Sequence, residues 1–159
     1  MKPISVEELL QKYAEGERNF SGASLIGANL VEANLSGIDL SKADLSEANL
    51  TEVNFSQANL RKANLRKVNL SQANHQEANL SESNLIEANL IEVDLTKADL
   101  NEANLTEANL GFCILFETNL SMANLCNAFL VGTDLSKANL DYAVLHGAVM
   151  PDQEKSSNQ

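Results

Sequence analysis

The chain has 159 residues, a length that fits one domain, and carries 22 acidic against 11 basic side chains for a net charge of −11. That balance, with a pI near 4.5, argues against direct nucleic-acid binding and against an anionic-membrane binder, since both partners call for a basic surface. The start, Met1-Lys2-Pro3, leads into a charged segment rather than an apolar leader or span, so a cytoplasmic protein without membrane contact is expected.

The first predicted element is a short helix. Ser5-Val6-Glu7-Glu8 reads as a capping box, in which the Ser5 hydroxyl and the Glu8 carboxylate satisfy each other's free backbone donors. Val6, Leu9, Leu10 and Tyr13 then fall at i, i+3, i+4 and i+7, one apolar stripe, and Gly16 ends the helix. Residues 1–18 are therefore read as a lid on the rest of the chain. An amphipathic helix can also anchor a membrane or a partner, but a stacked-repeat domain must cover its first sheet edge.

Residues 19–150 form a repeat of five without a linker or a register slip. Read in fives from Phe20, the 27 central positions hold 23 Leu, Phe20, Phe55, His75 and Met150. Ala stands two residues before the centre in 18 of the 27 repeats, and the residue just before the centre is Asn 17 times and Asp five times. A period of five scatters the leucines round a helix and alternates them across a straight strand. They stay together only if the chain turns a corner once per repeat, so that each repeat is one short side of a closed coil and the coils stack by backbone hydrogen bonds, ~4.8 Å apart. Centre and small residue then point inward and the other three point out. Alanine keeps the bore narrow enough to fill at interior density. An all-β solenoid is the expectation.

Units such as Ala43-Asp44-Leu45-Ser46-Glu47 and Ala103-Asn104-Leu105-Thr106-Glu107 resemble those of the pentapeptide-repeat family, of the type common in cyanobacteria. The resemblance implies a right-handed quadrilateral β-helix with four repeats per coil. On that footing 27 repeats make a little under seven coils, a rod roughly 30 Å long. The departures from the repeat are His75 at a centre and Ser24, Ile114, Phe129, Val144 and Val149 where Asn or Asp is usual.

With residues 20 apart stacked, the basic cluster Arg61, Lys62, Arg66 and Lys67 lies on two successive sides, Lys62 between Lys42 and Glu82 and Lys67 between Glu47 and Glu87. Cross-strand ion pairs on a solvated face account for it more simply than an anion site. His75 should point inward between Phe55 and Leu95 as a neutral imidazole; a lone histidine gathers no metal. Cys113 points in and Cys126 out, so both are expected as free thiols.

The informative irregularity is Gly111-Phe112-Cys113-Ile114-Leu115-Phe116. Its centres keep register, yet Phe112, Ile114 and Phe116 fall on outward positions, as do Met122, Phe129 and Val131 farther on. Phe112, Ile114, Phe116, Phe129 and Val131 form a candidate interaction patch. Past it the last coil carries Tyr142, Val144, Val149 and Met150 with no capping helix behind them, a candidate end-to-end contact for a homodimer, as the resemblance also implies. Residues 151–159 read as a disordered polar tail.

No phosphate loop, Cys-x-x-Cys, His-Glu-x-x-His or nucleophile elbow occurs, and a bore packed with Leu and Ala is expected to leave no pocket, so neither catalysis nor a cofactor is anticipated. The leading expectation is a non-enzymatic scaffold with an unidentified protein partner. The alternative implied by the resemblance is a DNA mimic acting on gyrase, topoisomerase or another DNA-binding protein. One side with Glu32, Glu52 and Glu92 suits it and the basic cluster opposes it.

Overall fold

The computed structural model of the chain describes residues 2–151. Within them, extended backbone comes in the smallest possible pieces. Apart from β1 (Lys2–Pro3) and β2 (Ala23–Ser24), which pair in parallel, pairing runs through single-residue parallel bridges from Asn19↔Asp39 to Phe129↔Val149. Each bridge joins residues 20 apart, so four five-residue repeats close one coil.

The repeat chemistry explains the shape. The N–H of Ala23 bonds the carbonyl of Phe20 at 3.1 Å, closing a turn whose third residue, Gly22, has φ +68°. Positive φ at that place is what a type II turn requires. The same corner recurs with other residues: Glu32, Lys42, Glu52 and Tyr142 all have φ between 57 and 59°. A left-handed residue other than glycine costs on the order of 1 kcal/mol, and the ladder between coils must offset it. The Asn/Asp position serves that ladder twice over. Its Oδ1 accepts the N–H two residues on, as Asp39 does from Ser41 at 2.9 Å. Its amide donates to the same column one coil back, as Asn54 does to Asn34 at 3.0 Å.

Inside, the centres from Leu25 to Leu130 and the small residues from Ala43 to Ala128 are buried. His75 is wholly buried. Its ring meets Phe55 edge to face at 5.4 Å, and both ring nitrogens lack a hydrogen-bond partner. Burial alone pushes its pKa down from 6.5 to about 3, so the imidazole is neutral. Polar substitutes at the small position do better: Thr118 Oγ1 donates to the Leu95 carbonyl at 2.7 Å and Cys113 Sγ to that of Leu90 at 2.8 Å.

The two ends differ. At the start, β1 continues the ladder along the first coil, a contact the helix signals did not announce, and α1 (Val6–Ala14) comes directly after it. Leu9 is fully buried, Val6 and Tyr13 pack on the core, and Tyr13 Oη donates to the Ser36 carbonyl at 2.8 Å. The expected stripe needs correction, because Leu10 is 38% exposed. Only residues at i, i+3 and i+7 reach a bore this narrow, and i+4 overshoots its rim. The capping box is also half realised. Glu8 N–H donates to Ser5 Oγ at 3.1 Å, while the Glu8 carboxylate turns to Lys12 Nζ at 2.8 Å. A full charge outbids a backbone amide for it.

At the far end Leu135, Leu140 and Leu145 are only partly buried and Met150 is 44% exposed. Among the described residues no helix covers them. The expected polar tail lies outside the described residues from 152 onward, and Pro151 is half-buried.

Candidate interaction site

From Phe20 to His146 the sides of successive coils are tied together by three backbone bonds each. For the coil before the patch these are Leu95 N–H to Ile114 O (2.9 Å), Lys97 N–H to Phe116 O (2.9 Å) and Ile114 N–H to Val93 O (3.0 Å). One side breaks the rule. Among the described residues, no backbone bond joins Cys113, Leu115 or Glu117 to Asp134 or Ser136, and the bridge Ile114↔Asp134 is missing from an otherwise continuous series.

The side chains that would meet across this step are poorly matched. A rung of the column runs from the amide of the later coil to the Oδ1 of the earlier one, and here both are missing: Ile114 has no acceptor oxygen and Asp134, which would face it, has no amide, while Phe116 would face Ser136. Asp134 instead satisfies itself, its Oδ1 accepting the Ser136 N–H at 2.9 Å. A cleft of about 250 Å³ opens there, lined by Phe112, Ile114, Leu115, Phe116, Asp134 and Lys137 among others.

The expected patch surrounds this break. Phe112 is 61%, Ile114 52%, Phe116 47%, Phe129 50% and Val131 37% exposed. Phe112, Ile114 and Phe116 share the cleft wall. Val131 joins them through the backbone, its carbonyl accepting Phe112 N–H at 2.9 Å, whereas Phe129 bridges onward to Val149. The Phe112 ring lies over Gly132: a Cβ there would sit 2.4 Å from its Cδ1. Sequence reasoning missed Gly132, Asp134, Lys137 and the gap itself. It also missed Ile26, which is 61% exposed at the opposite end of the rod.

The other candidates resolve differently. Arg66 Nη2 lies 2.9 Å and Lys67 Nζ 3.5 Å from the two oxygens of Glu87. Arg61 and Lys62 share Glu82 in the same way, the latter at 3.1 Å. Those four cations are therefore engaged by carboxylates of the next coil. Glu82 is correspondingly held below the usual carboxylate range, first by the Lys62 bond and then by Arg61. The acidic column Glu32, Glu52, Glu92 includes Gln72, which donates to Glu92 at 2.9 Å, and it ends at Phe112.

Tyr142 (85%), Val144 (49%) and Val149 (41%) are exposed with Met150 on the open last coil. Cys113 and Cys126 are both unpaired, and burial pushes the Cys113 thiol up to about 12.

The expectation of no pocket is corrected, since narrowness of the bore does not prevent clefts outside it. Besides the gap, a cleft of about 170 Å³ lies under α1, lined by Lys2, Glu8, Lys12, Glu17 and Phe20 among others. Its lining holds no His or Cys, and Glu8 and Lys12 neutralise each other. Among the described residues no group of three or more His, Cys, Asp or Glu could hold a metal ion. Nor is any helix long and apolar enough to cross a membrane.

A profile of pentapeptide repeats matches in eight copies, spanning residues 19–57, 38–74, 76–111 and 113–150. Among solved structures, a pentapeptide repeat protein of the Arabidopsis thaliana thylakoid lumen is similar at 32% identity and TM-score 0.61, over 62% of this chain and 69% of that one. Rfr23, a pentapeptide repeat protein of the cyanobacterium Cyanothece 51142, is similar at 26% identity and TM-score 0.52, over 91% of this chain and 99% of that one. QnrB1, a plasmid-mediated fluoroquinolone resistance protein, lies farther off at 20% identity and TM-score 0.45, too distant to carry an argument. No curated protein matches.

Proposed function

The chain belongs to the pentapeptide-repeat family, and on that premise we propose that it is a non-enzymatic interaction scaffold that presents the Phe112–Val131 patch to a protein partner. Residues 1–18 act as the cap and 19–150 as the binding rod, a right-handed quadrilateral β-helix. One observation carries the reading: three bulky apolar side chains stand outward beside the one side that, among the described residues, lacks all three of its ladder bonds. Exposed apolar surface of this kind is usually an interaction site. Two unpaired thiols support a reducing, cytoplasmic setting.

The test is size-exclusion chromatography with light scattering on the wild type and on Phe112→Ser/Phe116→Ser. A dimer that the double variant converts to monomer makes the patch a self-association surface. Dimers in both assign association to Tyr142, Val144, Val149 and Met150, the end-to-end contact. Monomers in both leave the patch free for a different protein.

The acidic column Glu32, Glu52, Glu92 favours a second reading, mimicry of DNA toward gyrase, topoisomerase or another DNA-binding protein. Inhibition of supercoiling by excess protein would support it, and an unchanged assay removes it.

A further inference from the structure

Resting on the patch reading, we infer that the partner docks as an extended peptide segment of pattern apolar-x-apolar, paired in parallel with Cys113–Glu117 through main-chain hydrogen bonds. The geometry for it is already laid out on the coils before it. On a regular side, one carbonyl and two N–H groups of each coil are taken by the next: Val93 O, Leu95 N–H and Lys97 N–H bond Ile114 N–H, Ile114 O and Phe116 O. One coil on, the equivalent groups, Cys113 O, Leu115 N–H and Glu117 N–H, make no such bonds among the described residues. They present the alternation that a parallel strand completes.

Side-chain chemistry says what that strand must carry. In register, its first paired residue lies opposite Ile114 and the second next opposite Phe116. The chain's own Asp134 and Ser136 are polar at those places and stand off. Apolar residues there would form the cross-strand pairs that stabilise sheets. The cleft, at about 250 Å³, is below the range typical of drug-sized ligands and suited to one or two side chains. Main-chain bonds supplying affinity while alternate side chains supply specificity is strand addition.

The probe is a fluorescein-labelled peptide Lys-Thr-Ile-Thr-Phe-Thr-Lys, read by anisotropy against the full chain, with a copy N-methylated at Ile. In register the Ile N–H faces Cys113 O, so methylation should weaken binding at least about tenfold, the worth of one well-made bond. Ile114→Asn/Asp134→Asn supplies both the acceptor oxygen and the donor amide that a rung of the column needs and removes the apolar Ile114 face, so it should weaken binding by a similar factor, with an unchanged circular dichroism spectrum. Hydrogen exchange provides a readout without any variant: in the free protein Leu115 and Glu117 amides exchange at least about tenfold faster than Leu95 and Lys97, and the peptide slows them.

Equal binding of the methylated peptide, or equal exchange at the two pairs of amides, overturns the proposal. Protection that rises with protein concentration would place a second copy in the gap. Protection lost on removing residues 152–159 would place the chain's own tail there, and either result overturns it as well. If no peptide binds at millimolar concentration while Phe112→Ser/Phe116→Ser still changes the mass by light scattering, the patch acts through side chains alone and only strand addition falls. If neither responds, the patch reading falls with it.

Discussion

Replacing His75 by leucine should stabilise the protein, and more so in acid. The imidazole is wholly buried and both nitrogens are unpartnered, so removing it relieves a desolvation cost of roughly 1–3 kcal/mol. Leucine restores the repeat's own centre and adds roughly 1 kcal/mol of apolar transfer. Against this stands the edge-to-face contact with Phe55, worth roughly 0.5–1.5 kcal/mol. The net gain is about 1–3 kcal/mol at pH 7.5.

The acid dependence comes from linkage. With the folded pKa lowered to about 3 against 6.5, the unfolded chain takes up a proton below pH 6.5 that the folded chain refuses until about pH 3. Wild-type stability therefore falls as pH drops through that window, by about 1.4 kcal/mol per unit. At pH 5 the loss specific to His75 is about 2 kcal/mol, so the advantage of His75→Leu should widen to about 3–5 kcal/mol. Urea melts of both proteins at pH 7.5 and 5 measure the difference, with the carboxylates common to both cancelling. A variant less stable than wild type, or an advantage that does not change with pH, would refute the reasoning.

The corners supply a second prediction. Glu52 sits at φ +57° with an exposed side chain, so Glu52→Gly should raise stability by up to about 1 kcal/mol in a urea melt, the reverse of glycine's usual effect. Thiol labelling should distinguish the cysteines: Cys126 reacts with a disulfide reagent in the folded protein, whereas Cys113, buried and bonded to Leu90 O, reacts only on unfolding. Glu82→Gln/Glu87→Gln frees Arg61, Lys62, Arg66 and Lys67 from the carboxylates they share. That variant should elute from a heparin column at higher salt than the wild type, and coelution would show that the cations were free all along.

The coil was legible because its determinant is periodic and local. A centre every five residues, a small residue two before it and an amide just before it each serve one place in the turn or the ladder, and 20-residue stacking placed Glu82 and Glu87 beside their cations correctly. Leu10 and Glu8 were misread because helix rules assume a broad partner surface and an uncontested carboxylate, and this lid meets a narrow bore with Lys12 one turn away. The gap at Cys113–Glu117 was illegible for a different reason. Each of Ile114, Phe116, Asp134 and Ser136 is acceptable in its own repeat, and the misfit exists only between coils, where Ile114 and Phe116 would meet Asp134 and Ser136.

That misfit bears on how the rod holds together. A stacked-repeat protein is stabilised by nearest-neighbour contacts, so the coil after the gap, with one of its four sides unladdered and its far face open at Leu135, Leu140 and Leu145, is the least secured part of the chain. Its amides should exchange first, while those between α1 and Leu110 hold to near the global unfolding free energy. Hydrogen exchange along the chain measures this. Restoring the rung with Ile114→Asn/Asp134→Asn should slow exchange across 131–149 without altering the coils before it. An equal effect on every coil would mean the rod opens as one unit, and the gap would then have no energetic identity of its own.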